Sequence, residues 1–188
     1  MVQKNTNMKR GIRNNNPLNI RHSADQWQGA RAEQTDKAFV QFTSMAYGYR
    51  AAWKVLDTYC LTFKRERKAY NVRNIIGRWA PPAENDTDAY VRAVVVLSGL
   101  GGNENMPRPK HYRAFGEVEK LVSLMAAMTC VENGIRMEEV DREAIWQGYD
   151  LAFPGNKRKK VLPEKTEEAE DLRHWDEYWN WSPEAYGK

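Results

Sequence analysis

Ala126 to Ile135 read AAMTCVENGI, and the placement of one carboxylate in this stretch governs how the rest of the chain is read. Met125, Met128 and Val131 recur at helical spacing, and Asn133-Gly134 stop the pattern. The end of a helix carries partial negative charge. Lys or Arg are therefore the ordinary residues of a last turn, with Gly just after it. Gly134 obeys this rule and Glu132 breaks it. A solvated surface Glu is the plainest account, at a small cost. The sharper account is a carboxylic acid whose charged form is disfavoured by the helix end and by Met128 and Val131, as a general acid requires.

Outward from this stretch the chain reads as mostly α with a small β-hairpin region. From Ser44, Ala52, Val55, Leu56, Tyr59, Cys60 and Phe63 form one stripe at steps of three and four. NVRNIIGRWA is a second, short helix with Asn71 as cap and Val72, Ile75, Ile76 and Trp79 inward, ended by Pro81-Pro82. A third starts after ENDT (Glu84 to Thr87) and runs through Tyr90, Val91, Val94, Val95 and Leu97 to Gly99. The fourth spans about Glu117 to Val131 with Glu132 at its end. The fifth runs from about Asp141 to Pro154-Gly155. Before them, RGIRNNNPLNIR (Arg10 to Arg21) is a turn-rich segment. The run Phe39 to Phe42, with turn residues at Trp27-Gln28-Gly29, reads as one or two short strands. Residues 1–155 are expected to form the domain. Residues 156–188 form a tail, basic at Lys157 to Lys160, then acidic, then aromatic at Trp175, Tyr178, Trp179 and Trp181. Those rings are expected to pack back on the domain rather than dock a partner.

The 188 residues carry a formal charge of +4, which fits an anionic polymer or simply solubility. No apolar run approaches the ~20 residues of a membrane span. The start, MVQKNTNMKR, has no apolar core of a secretory signal. Cys60 and Cys130 sit in apolar helical patterns, as core thiols do. No metal-ligand spacing and no glycine-rich phosphate loop is present, so neither a metal nor a cofactor is expected. No recognition helix or basic-aromatic stripe is evident, which argues against nucleic acid as the partner.

Glycan cleavage needs an acid on the leaving oxygen and commonly a second carboxylate. Glu132 is the candidate acid. Glu84 or Asp86 is a candidate partner, although Asp86 also reads as the cap of the third helix, and Glu33 and Asp36 stay open. Asn15, Asn16 and Asn19, with Asn14, have the groups to bond sugar hydroxyls and acetamido groups, or to tie down their own loop. Trp27, Trp79, Tyr47 and Tyr90 are rings that either stack on sugars or fill the core.

The strings RGIRNNNPLNIR, WQG (Trp27 to Gly29), FVQFTSMAYGYRA (Phe39 to Ala51), IIGRWAPPAENDTDAYV (Ile75 to Val91) and MTCVENG (Met128 to Gly134) together resemble a group of phage and prophage proteins. That group carries lysozyme-like domains and includes virion structural proteins and peptidoglycan hydrolases. The resemblance covers most of residues 10–150. The middle of the chain also resembles the flagellar and autolysin glucosaminidases of the lysozyme superfamily. In those, a catalytic helix ending in Glu precedes the Asn-Asn turn, the Trp-x-Gly hairpin, the Phe-rich strand and a late Tyr motif. Here Asn15-Asn16, Trp27-Gln28-Gly29, Phe39 to Phe42 and Tyr90 keep that order, but the leading helix and its Glu are missing. We read this departure as a circular permutation, with the helix ending at Glu132 supplied from the C-terminal side and Asn133 turning the chain. The resemblance further implies a glycosidase or lytic transglycosylase acting on peptidoglycan glycan strands. Other virion proteins are further partners, and the place is a phage virion or the bacterial cytoplasm before release. A catalytically inactive virion structural or wall-binding protein is the alternative.

Overall fold

The computed structural model describes residues 8–110 and 115–156. The aromatic tail lies outside the described residues. Among the described residues, six helices follow one another: α1 (Arg10–Arg13), α2 (Met45–Arg65), α3 (Val72–Trp79), α4 (Thr87–Ser98), α5 (Phe115–Asn133) and α6 (Arg142–Ala152), with a 3-10 turn at Met137–Glu139 before α6. All belong to one unit, Met1–Lys157. The architecture is mostly helical, as the periodicities predict.

α5 is the central element. Leu121, Val122, Leu124, Met125, Ala126, Ala127 and Met128 are all fully buried. A helix apolar on every side must run through a core, and α4, α6 and α1 surround this one. Its last turn, with Glu132, is where the helix leaves that core. Gly134 takes a φ of 57°, and Ile135 N donates back to Cys130 O, the closure a glycine after a helix permits.

α2 packs along α6. Gly148 makes this possible, because a Cβ there would lie 2.7 Å from Tyr49 Cβ and 2.9 Å from Ala46 O. Trp53, fully buried, donates its indole N–H to Ile145 O at 2.9 Å and meets Tyr149 edge-on at 5.0 Å. The buried face of α2 therefore centres on Tyr49, Trp53 and Leu56. Val55, Tyr59 and Cys60, read from sequence as part of the stripe, are only half-buried.

The expected hairpin is not built of strands among the described residues. Residues 21–42 hold two isolated antiparallel bridges, Arg21 with Phe39 and Ala30 with Phe42. Backbone bonds from His22 N to Ala38 O, Val40 N to Ile20 O and Arg31 N to Gln41 O pair the segment in places, and polar side chains fill in between them. Gln41 Oε1 accepts from Thr35 N and Asp36 N. Gln34 accepts from Gln41 N and donates to Gln41 O. Backbone groups satisfied this way have no need of a partner strand.

Candidate functional site

Glu132 is partly buried, and its two carboxylate oxygens are held differently. Oε1 accepts from Trp79 Nε1 at 3.2 Å and from the Tyr90 hydroxyl at 2.9 Å. Oε2 accepts from Asn19 Nδ2 at 2.8 Å. The three donors are all neutral and come from three separate parts of the chain. Trp79 is the last residue of α3, Tyr90 sits in the first turn of α4, and Asn19 lies in the turn after α1. The apolar wall expected around the acid is thus lined with polar tips. Tyr90 is 8% exposed. Its hydroxyl is held well above the ordinary tyrosine value, first by burial and then by the charge of Glu132. It stays protonated, and so stays a donor, throughout the neutral range.

The sequence explains each placement. Asn71 caps α3 by accepting from Asn74 N, and the Pro81-Pro82 pair follows its end, so Trp79 stands at the tip of a short helix. Asp86 caps α4 by accepting from Ala89 N, which aims Tyr90 back toward α5. Asn15 and Asn19 adopt φ of 52° and 51°, a left-handed conformation that Asn tolerates better than other side chains. Asn19 is thereby turned onto Glu132.

The other Asn residues serve their own loop. Asn16, fully buried, donates to Ile20 O and Val40 O and accepts from Ile20 N. Asn15 donates to Phe42 O, and its own carbonyl leaves no room for a side chain at Gly48. Asn14 donates to Asp36. Asn133 donates to Pro17 O at 2.7 Å and Thr129 O at 2.9 Å, tying the loop to the end of α5.

Among the remaining candidates, Trp27 is half-buried against the core, and its indole nitrogen is buried without a partner. Glu84 is exposed and paired with Arg21 at 3.5 Å. Asp86 is exposed as a cap. Neither carboxylate bonds Glu132. Asp36, a further open candidate, is instead the buried anchor of the loop, accepting from Arg10, Asn14, Ala38 N and Phe39 N. The structure therefore brings together Glu132, Asn19 and Tyr90, which sequence reasoning named. It adds Trp79 as a direct donor, which sequence reasoning read as an inward or stacking ring. The only available hint was an indole placed at the last turn of a short helix, just before the Pro pair. Among the described residues, no group of His, Cys, Asp and Glu is placed to hold a metal ion.

No family model matches the chain. Over 149 residues it is 33% identical to protein P5 of Pseudoalteromonas phage PM2, an alignment taking in 78% of this chain and 83% of that protein. The chain belongs to the P5 family. A phage source agrees with the resemblance drawn from the sequence. Among the described residues of this P5-family chain, no helix is long and apolar enough to cross a membrane.

Proposed function

We propose that this P5-family chain is a lysozyme-like enzyme that cleaves peptidoglycan glycan strands, with Glu132 as the general acid. The observation that carries the reading is the single half-buried carboxylate held by Asn19, Trp79 and Tyr90. A carboxylate that accepts from three neutral side chains is fixed in place without being neutralised by a cation, as a carboxyl that must cycle between acid and base requires. In the permuted lysozyme-like arrangement, α5 takes the place of the missing leading helix, and the bridged segment 21–42 that of the hairpin.

The chemistry follows from one carboxyl. Glu132 gives its proton to the glycosidic oxygen as the C1–O bond breaks through an oxocarbenium-like state. Water, or the sugar's own 6-hydroxyl, then forms the new bond to C1 and returns its proton to the Glu132 carboxylate. The first route is hydrolysis and the second leaves an anhydro end. Glu84, exposed and paired with Arg21, and the exposed Glu33 remain as candidates for a second carboxylate. The reaction would be used in a phage virion or in host cytoplasm before release, with other virion proteins as further partners.

Incubation of peptidoglycan sacculi with the wild type and with Glu132→Gln, followed by mass analysis of released muropeptides, tests this reading. Cleavage by the wild type alone is the expected result, since Gln keeps the shape and delivers no proton. Cleavage by both proteins overturns Glu132 as the acid. A second reading, an inactive virion structural or wall-binding protein, draws on the same network, because three bonds that tie α3, α4 and the Asn loop to α5 also serve as a lock. It predicts binding to sacculi without release of fragments.

A further inference from the structure

Two buried acceptors near Glu132 have no partner, Asn19 Oδ1 and Asn133 Oδ1. Both face the same space beside Gly11. A Cβ on Gly11 would collide with Asn133 Oδ1 and stand 3.0 Å from both Asn19 Oδ1 and Asn16 O. Unpaired buried oxygens are uncommon in folded proteins, and two that face each other's space repel as well. The other end of the Asn19 amide donates to Glu132 Oε2. That bond suits a carboxylate.

We propose that the Asn19 amide turns over when Glu132 takes up a proton, so that Asn19 Oδ1 accepts the new O–H while Asn19 Nδ2 faces Asn133 Oδ1. Oε1 already accepts two hydrogen bonds, whereas Oε2 accepts one. Trp79 N–H can only donate, and together with the Tyr90 hydroxyl it covers Oε1. Oε2 therefore carries the proton. Its neighbour there is an Asn19 donor, which has to become an acceptor. Turning the amide supplies that acceptor. It also carries an amino group to the side where Asn133 Oδ1 and Asn16 O lie. Both orphaned oxygens then gain partners in the protonated state. Asn133 is fixed as the receiver, because its own Nδ2 is committed to Pro17 O and Thr129 O. Gly11 keeps the space open by having no side chain.

Tyr90 on α4 is the titratable group that bonds Glu132 among the described residues, and it remains neutral. Asn19 on the loop and Trp79 on α3 carry no charge. Of the ions on the flanking segments, Arg21 is paired with Glu84, Arg10 with Asp36, Arg73 with Asp88, Arg78 with Glu66, and Arg136 with Glu138 and Glu139. Arg13 on α1, Asp86 at the cap of α4 and Arg92 on α4 also stand on those segments without bonding Glu132. The transition is thus set by Glu132 and the two amides. Asn19 and Asn133 act as positioning residues, and the acid form becomes a fully bonded state. The consequence for catalysis rests on the acid role proposed above, but the rearrangement itself does not.

The test is side-chain amide NMR of the full chain, wild type against Glu132→Gln. In the variant the new carbonyl is drawn to Trp79 and Tyr90, which places an amino group where Oε2 stood. It is a permanent stand-in for the protonated acid. The Asn19 amino protons should show markedly stronger cross-relaxation with the Gly11 α-protons in the variant than in the wild type at neutral pH. An acid titration of the wild type gives the second measurement. The Gly11 cross-peaks should grow in step with the change in the Glu132 carboxyl resonance. Identical Asn19 contacts in both proteins, or a carboxyl that titrates while those contacts stay fixed, would overturn the proposal. Neither readout uses cleavage, so failure of the glycosidase reading is separable.

Discussion

Replacing Asp36 by Asn should loosen the loop that carries Asn19. The Asp36 side chain is 6% exposed. Oδ1 accepts from Arg10, Ala38 N and Phe39 N, and Oδ2 accepts from Arg10 Nε and Asn14 Nδ2. In the variant one oxygen keeps its backbone donors, while the new amino group faces two donors. The Arg10 contribution is small because that side chain is half exposed and water screens it. The Asn14 amide loses its partner, and the backbone bonds lose their charge. Each is worth about 1 kcal/mol, so the loss is about 2–3 kcal/mol. With a urea slope of about 2 kcal/mol per molar, the midpoint falls by roughly 1 M at neutral pH.

The pH dependence is the stricter part of this prediction. Arg10 and the surrounding donors hold the Asp36 carboxyl far below its ordinary value of 3.8. A depressed folded value means the stabilisation is present above the unfolded value and is lost as pH falls below it. The decline is about 1.4 kcal/mol per pH unit. The difference between wild type and variant should therefore be full at about pH 7, begin to shrink near pH 4, and be nearly closed at about pH 2. Urea unfolding followed by tryptophan fluorescence measures it. Equal midpoints at neutral pH, or a difference that persists unchanged into acid, would refute the reasoning.

Gly148→Ala should cost about 1–3 kcal/mol in thermal unfolding, because the added carbon meets Arg50 N at 2.8 Å and Ala46 O at 2.9 Å, backbone that cannot turn aside. A variant as stable as the wild type would mean α2 and α6 can move apart freely. Tyr49, Tyr70 and Tyr90 are all raised above the ordinary 10.0 by burial. A raised folded value gives stability that is complete below the unfolded value and declines as pH rises past it. Alkaline unfolding should thus begin above about pH 10. Tyrosinate absorbance from these three should appear together with unfolding, and their titration in a still-folded chain would contradict the burial argument.

What was legible in the sequence follows the range of the interactions. Caps are local, so Asn71, Asp86 and Gly134 marked helix ends that the structure keeps. The stripe on α2 was read one step off its centre because Trp53 and Tyr49 bury against α6, a contact that no window on α2 contains. The short α1 hid in a segment dense in Asn, whose turn signals outweighed four helical residues. The strands between 21 and 42 failed for a different reason. An apolar run such as Phe39 to Phe42 marks burial, whereas Gln34 and Gln41 take up backbone groups that a continuous ladder would pair. Glu132 was singled out because it broke a local rule. That Trp79 would donate to it depends on a pairing across 53 positions, which spacing along the chain does not encode.

The bond from Asn133 to Pro17 spans 116 positions, and that from Asn19 to Glu132 spans 113. Such closures are slow to form, since the entropy of joining distant segments is lost before the contact stabilises anything. Helix pairs such as α3 with α4 are close in sequence and can assemble early. The carboxylate and its first donor can meet only once α5 has been made. During synthesis, the ribosome therefore releases Asn19, Trp79 and Tyr90 well ahead of the acid they will hold. Formation of the carboxylate site thus requires segments from both ends of the domain, and an intact site reports that nearly the whole domain has come together.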